Sequence, residues 1–378
     1  MVRTALFWLH LALGVTAGLV ILLLCLTGTA LMFEKQIVDL AQREAWHVRP
    51  TGETLPVDDL VAKARDLRPE PPPSAITVSS DRARAWFVST GRGQGYWIDP
   101  YSGRITDQGA EGWRSFFRAT VALHRWLGAE GDARDTGRAI TGAANAAFLV
   151  LTVSGLFLWF PRRWTRQAVR AVIWFRRGLS GKARDFNWHH VVGWWTLPVL
   201  FVLTLSGMVI SYPWASDLVY VAAGEAPPAT RGRQPPAQVP VDVPEGVERL
   251  ALQALLDRAA VAAPGWDQLT LDLTTPPESA PTVSIRTADR WPRFATERVW
   301  LDPVRGEVLR HERFEDASPG RRARSWMRWL HTGEAFGWPG QLVAGLASAG
   351  GAVLVYTGLA LAWRRFWRWW RRRPAGPA

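Results

Sequence analysis

Cysteine is almost absent from this chain of 378 residues, and its one thiol, Cys25, lies inside a long uncharged run. A disulfide framework is thereby excluded for every segment, including those assigned below to an oxidising compartment. No Gly-x-Gly-x-x-Gly opens a strand-to-helix unit, so no dinucleotide-binding domain is built into the chain. Charge is missing from four stretches. No Asp, Glu, Lys or Arg occurs between Arg3 and Glu34, from Ala139 to Pro161, from Phe186 to Ser216, or from Ala335 to Trp363. Each stretch exceeds the roughly 20 residues that a helix needs to cross about 30 Å of hydrocarbon. In lipid a helix is the form that satisfies its own backbone, so four transmembrane helices follow. The first apolar run is too long for a signal-peptide core and no small-x-small cleavage site follows it, so it reads as an uncleaved anchor.

The basic residues that are present are unevenly placed. Arg3, the loop from Arg162 to Asp185 and the tail from Arg364 onward together hold fifteen Lys and Arg against one acid, Asp185, leaving 30 basic and 32 acidic residues elsewhere. The positive-inside rule then puts both termini and the loop in the cytoplasm. The net charge of +12 is a topology signal and no nucleic-acid footprint, which would need a basic patch on a folded surface. Trp8, Trp159, Trp164, Trp188, Trp214, Trp338, Trp363 and Trp367 fall near the ends of the runs, as interfacial aromatic belts require.

The expected organisation is helix 1 over residues 7–33, an outer module over 34–137, helix 2 over 138–161, a basic cytoplasmic loop over 162–187, helix 3 over 188–213, a second outer module over 214–337, helix 4 over 338–363 and a tail over 364–378. Both outer modules show the same pattern. An amphipathic helix, Val57 to Leu67 or Val247 to Ala263, precedes alternating strands. These strands are Ala75 to Ser79, Ala85 to Ser89 and Tyr96 to Ile98 in one, and Gln268 to Leu273, Thr282 to Arg286 and Arg298 to Leu301 in the other. Tyr96-Trp97-Ile98-Asp99-Pro100-x-x-Gly103 reappears 203 residues on as Val299-Trp300-Leu301-Asp302-Pro303-x-x-Gly306. Asp-Pro-x-x-Gly is a strand, tight turn, strand signal with no chemistry of its own. The same offset relates Gly137-Arg138-Ala139-Ile140-Thr141-Gly142 to Gly340-Gln341-Leu342-Val343-Ala344-Gly345, and Ser154-Gly155 to Thr357-Gly358. The chain reads as a tandem duplication of helix, module, helix, which predicts a pseudo-two-fold axis along the membrane normal. The second copy is longer by 24 residues, placed in the Pro-rich stretch from Ala226 to Pro244, a semi-rigid linker.

The histidines obey the same repeat. His10-x-x-x-Gly14 precedes Thr27-Gly28, and His189-x-x-x-Gly193 precedes Ser206-Gly207, with 18 residues from each His to the later Gly. That interval is about 27 Å of helix, so His10 and His189 lie near one face of the membrane. Leu123-His124 and Leu330-His331 close Arg- and Trp-containing helical segments before helices 2 and 4, at the other face. A lone His at a membrane boundary is ordinarily an interfacial residue, but a bland one need not recur at matched depth in both halves. Four histidines in two symmetric pairs fit two b-type haems held by bis-imidazole ligation in an apolar bundle. The absence of Cys-x-x-Cys-His excludes covalent c-type attachment. His190 has no counterpart in the first half, where Leu11 stands, and is the weaker candidate. Arg125, Arg138 and Arg322 sit where haem propionates need cations. His47 and His311 lack matched partners and read as surface residues.

These motifs, together with Leu330-His331-Thr332-Gly333-x-x-Phe336-Gly337, resemble the PepSY-associated transmembrane helix proteins, the iron-regulated membrane proteins, over nearly the whole chain. The resemblance implies a membrane α-helical fold of four spanning helices with two extracytoplasmic α+β PepSY-like modules, in a bacterial inner membrane. It also implies haem ligation by His10, His189, His124 and His331, and an oxidoreductase that passes electrons across the membrane to reduce a periplasmic ferric siderophore. Gln341 departs from the family's pattern, where Arg is frequent as at Arg138. An Arg-rich stretch and a Pro-Ala-Gly-Pro-Ala tail follow the last helix, so the expected electron donor is a membrane quinol or a separate cytoplasmic reductase. Two other classes are weighed against this. A membrane-anchored peptide-binding or protease-regulating protein leaves the four matched histidines unexplained, and a permease lacks an acid or base within its helices to bind a coupling ion.

Overall fold

The computed structural model describes residues 1–91, 93–160, 165–229 and 238–371. Trp164, Arg162, Arg163, the middle of the Pro-rich stretch and the tail from Arg372 onward lie outside the described residues. The principal helices are α1 (Val2–Leu31), α2 (Val57–Leu67), α3 (Glu111–Trp126), α4 (Ala133–Trp159), α5 (Gly181–Ser211), α6 (Leu252–Ala262), α7 (Pro319–His331) and α8 (Gly337–Arg371). The strands are β1 (Ala75–Ser79), β2 (Trp86–Gly91), β3 (Gln94–Ile98), β4 (Ile105–Asp107), β5 (Trp266–Asp272), β6 (Thr282–Thr287), β7 (Thr296–Leu301) and β8 (Val308–Glu312). They divide into two compact units: the helical unit of residues 1–35, 115–227 and 323–378, and the sheet unit of 36–114 and 228–322.

In the helical unit four helices are long and apolar enough to cross a membrane. They form a ring in which α1 packs on α4 and α8, and α5 packs on the same two. Small residues set the spacing. A methyl added at Gly350 would meet Thr196 Cγ2 at 2.5 Å, and one at Gly351 would meet Cys25 Sγ at 2.7 Å, so α8 lies as close to α5 and α1 as glycine permits. Polar groups between the helices are answered by other helices rather than left to lipid. Ser348 Oγ donates to Cys25 O at 3.0 Å, Asn145 Nδ2 to Thr204 O at 2.9 Å, and Gln341 Nε2 to Met32 O at 2.6 Å. The last of these shows what Gln341 does: it clamps α8 to the end of α1. At the other end, Asp185 is fully buried and paired with Arg184 and Arg364, which joins the start of α5 to the end of α8. Six of the expected interfacial tryptophans are exposed, whereas Trp159 is buried and stacks on Trp194 at 4.1 Å.

The sheet unit holds one antiparallel sheet of eight strands, in the order β4-β3-β2-β1-β5-β6-β7-β8. Two separate modules were the expectation; the structure joins their strands at β1 and β5, with Ile76 opposite Leu271 and Thr77 opposite Thr270. Alternation puts Ile76, Val88, Ile98, Leu269, Leu271, Ile285, Val299 and Leu301 on one buried face. The buried faces of α2 (Val57, Leu60, Val61, Ala64) and α6 (Leu255, Leu256, Ala259) cover it in one shared core. Helix ends are satisfied across the two halves. Asp58 on α2 accepts from the backbone N–H groups of Leu252 and Gln253 at 2.7 and 3.0 Å, and Gln253 Oε1 accepts from Val57 N at 3.3 Å, so each helix caps the other. The two Asp-Pro-x-x-Gly segments are turns as expected. Asp99 and Asp302 accept from the second backbone N–H beyond them, and Gly103 and Gly306 take φ of 68° and 71°.

Because the core is continuous through β1 and β5, Ile76→Ala should cost about 2–5 kcal/mol and loosen both halves of the sheet together. Limited proteolysis of the variant should open sites in 36–114 and 238–322 at the same rate. Cleavage confined to the first segment would show two independent cores.

Candidate functional site

The spanning helices carry their Ser/Thr-Gly dipeptides at buried positions: Thr27, Ser154, Ser206 and Thr357 are each at most 7% exposed. A hydroxyl in an apolar helix ordinarily gives its hydrogen back to its own chain. Thr27 donates to Leu23 O at 2.6 Å, Ser206 to Val202 O at 2.6 Å, Thr357 to Val353 O at 2.8 Å and Ser154, more loosely, to Leu151 O at 3.4 Å. Each oxygen keeps its lone pairs, and each meets an imidazole from a different helix. His10 Nδ1 lies 2.9 Å from Ser154 Oγ, His189 Nδ1 2.9 Å from Thr357 Oγ1, His124 Nδ1 2.8 Å from Thr27 Oγ1, and His331 Nδ1 3.2 Å from Ser206 Oγ and 2.9 Å from Leu203 O. His124, His189 and His331 each also face a backbone carbonyl, of Leu24, Leu354 and Leu203, and their Nδ1 atoms are therefore donors, whereas the direction at His10 follows its tautomer. For these three the tautomer is set and Nε2 keeps its lone pair, as in metal-ligating histidines whose other nitrogen is oriented by a hydrogen bond.

The imidazoles come together in two pairs. His10 and His189 have ring centroids 6.4 Å apart, and so do His124 and His331. Two imidazoles that share one metal, each with a bond of about 2.0 Å, place their ring centres roughly 6 Å apart. The small residue after each hydroxyl serves the rings: a methyl at Gly28 would touch His124 Cε1 at 3.5 Å, one at Gly155 His10 Cε1 at 3.5 Å, and one at Gly358 His189 Cε1 at 3.4 Å. Gly207 differs and packs on Asn145. Among the described residues no cluster of three or more His, Cys, Asp or Glu is placed to hold a metal ion, so each pair by itself offers two imidazoles.

Other candidates are placed less centrally. His190 Nδ1 donates to Phe186 O at 2.9 Å within its own helix and its ring lies tilted against Phe186 at 4.1 Å. Arg125 lies over the Trp126 ring, and Arg138 faces Asp135 at 3.6 Å. Burial, then the charges of Arg138 and Arg328, lowers the Arg125 pKa, and Arg125 in turn acts on His124. Arg322 belongs to the sheet unit. Arg328 was not singled out in the sequence, although its position three residues before His331 was a usable signal. Two indole N–H groups, of Trp126 and Trp159, are buried without a hydrogen-bond partner. His47 is exposed as expected. His311 is not a plain surface residue: its Nε2 meets Glu297, a carboxylate 6% exposed that also pairs with Arg290.

The family described as PepSY-associated TM region matches residues 7–365, which include all four paired histidines, and no curated protein matches the chain.

Thr27→Val, which keeps the shape and removes the hydroxyl, should leave the His124 ring held by the Leu24 carbonyl alone and cost about 1 kcal/mol. Thr27→Ser should restore the loss, as read by thermal unfolding. The His124 pKa is pushed down to about 4, by burial first and then by His331 and Arg125. A depressed imidazole contributes stability that is complete above its ordinary value of 6.5 and is lost as pH falls through about 4. Unfolding temperature of the haem-free protein should therefore drop across that window, and drop less in His124→Gln; parallel profiles for the two proteins would contradict this.

Proposed function

The chain belongs to the PepSY-associated TM region family, and from that premise we propose that it is a two-haem electron-transfer protein which reduces Fe(III)-siderophore outside the bacterial inner membrane. One observation carries the proposal: two histidine pairs at the same 6.4 Å separation, each imidazole oriented through Nδ1 by a hydroxyl of another helix. His10 and His189 would hold one b-type haem, and His124 and His331 the other. The apolar ring of helices, the glycines beside the imidazoles and the orphaned indole N–H groups of Trp126 and Trp159 suit the porphyrin and its propionates. Bound there, haem supplies one-electron transfer.

The chain's own groups do the rest. The hydroxyls aim each imidazole, the helical walls exclude water, and Arg125, Arg138 and Arg328 offset propionate charge. His10 and Thr27, the latter bonded to His124, lie on one helix with about 26 Å of rise between them, so the two sites stand at different depths. In this reading the chain is a tandem duplication with a pseudo-two-fold axis along the membrane normal, both termini are cytoplasmic, and the sheet unit is periplasmic and docks the siderophore. Electrons enter from a membrane quinol or a separate cytoplasmic reductase. One electron per iron suffices for release, because hard oxygen chelators hold Fe(II) far more weakly than Fe(III).

Absorbance spectra of the detergent-purified protein, oxidised and dithionite-reduced, with pyridine haemochrome quantification, test the reading. Near two b-type haems per chain are expected, falling to about one in His10→Ala and in His331→Ala. A colourless protein after haem-replete expression would overturn the proposal in favour of a membrane-anchored peptide-binding or protease-regulating role for the sheet unit.

A further inference from the structure

A groove of about 1000 Å³ runs between α1 and α8 in the helical unit. Trp8, Leu11 and Val15 line it from α1, and Leu359, Ala362 and Phe366 from α8. At 100° per residue, the face of Trp8, Leu11 and Val15 is turned about 100 to 160° away from His10. The groove therefore lies on the outer side of the bundle and is separate from the space between the histidines. Trp8, Val15 and Phe366 are 52%, 50% and 46% exposed, as lipid-facing side chains are. One end carries charge: Lys182, Arg365 and Arg368 border it. None of the three has an acidic partner among the described residues, although the neighbouring Arg364 is paired with Asp185. Arg365 is held at the rim over the rings of Phe7 and Trp8, at 5.1 and 5.0 Å.

We propose that this groove binds one acidic phospholipid, its phosphate between Lys182, Arg365 and Arg368 and its acyl chains along Val15 and Leu359. The chemistry is that of an anionic amphiphile. A free phosphate would leave the apolar wall uncovered, and a neutral isoprenoid quinol would leave three cations unanswered. Basic pockets between transmembrane helices at the cytoplasmic face take acidic headgroups in this manner. The bound lipid joins the start of α1 to the end of α8, and the proposal stands whether or not the bundle carries haem.

Native mass spectrometry of the full chain, incubated in detergent with phosphatidylglycerol or with phosphatidylcholine of the same acyl chains, tests it. One phosphatidylglycerol per chain should be retained and phosphatidylcholine lost. In Lys182→Gln/Arg365→Gln/Arg368→Gln retention should fall on the order of a hundredfold, about fivefold for each cation, while Arg176→Gln/Arg177→Gln retains the lipid. Equal retention of phosphatidylcholine, equal loss in the Arg176/Arg177 control, or a neutral quinone that leaves with the triple variant would each overturn the assignment. So would a triple variant that loses haem but keeps phosphatidylglycerol. If the triple variant does not fold, the wild type decides: its unfolding temperature should rise with phosphatidylglycerol, and a rise of the same size with phosphatidylcholine or inorganic phosphate would sink the idea.

Discussion

The hydrogen bond between a half-buried imidazole Nδ1 and a Ser or Thr hydroxyl on another helix occurs four times, and the helical unit is organised around it. Taken singly such a bond contributes only about 1 kcal/mol, yet leaving a buried N–H without an acceptor costs about 1–3 kcal/mol. In lipid no water can stand in. His10 on α1 therefore requires Ser154 on α4, and His189 on α5 requires Thr357 on α8. At the other end, His124 and His331 are tied back to Thr27 on α1 and Ser206 on α5. Each of α1 and α5 thus carries a histidine for one pair and a hydroxyl for the other. A shift of either helix along its axis would break both bonds, so depth and rotation of the four imidazoles are set together.

The sheet unit solves a different problem with a similar device. Each half has four strands and one covering helix, a small core for a segment without disulfides. Pairing of β1 with β5 doubles the sheet, and α2 and α6 share one core beneath it. Asp58 and Gln253 then exchange caps between the two halves, which fixes the register of one helix against the other. In both halves an Arg lies over a strand Trp: Arg84 over Trp97, and Arg298 and Arg310 over Trp300.

Much of this was legible before the structure. Uncharged runs marked the four long helices, because a buried charge in lipid is too costly to hide among them. Alternating apolar residues marked the strands of both halves, and Asp99 and Asp302 with their downstream glycines marked the turns. The histidine pairs were legible because both members of each recur at matched places. Three features were not. Ser154 and Thr357 were visible as repeat markers, but which histidine each would meet depends on how four helices are ordered in a ring. Trp159 looked like one more interfacial tryptophan, and only its stacking on Trp194 buries it. His311 looked unpartnered because Glu297, fourteen residues away, becomes its neighbour only through the pairing of β7 with β8.

Local rules of this kind act along the chain. Hydropathy, charge asymmetry, turn chemistry and internal repetition are properties of neighbouring residues or of spacing, and they determined the number of spanning helices, the strands and the four histidines to consider. Tertiary structure decided what lies between elements: that the two halves of the sheet unit form one continuous sheet, that each imidazole spends its Nδ1 on another helix, and that three cations without acid partners among the described residues border one apolar groove. Those facts depend on which faces of distant segments meet, and packing of side chains in three dimensions, unlike periodicity, is not written at any fixed spacing in the sequence.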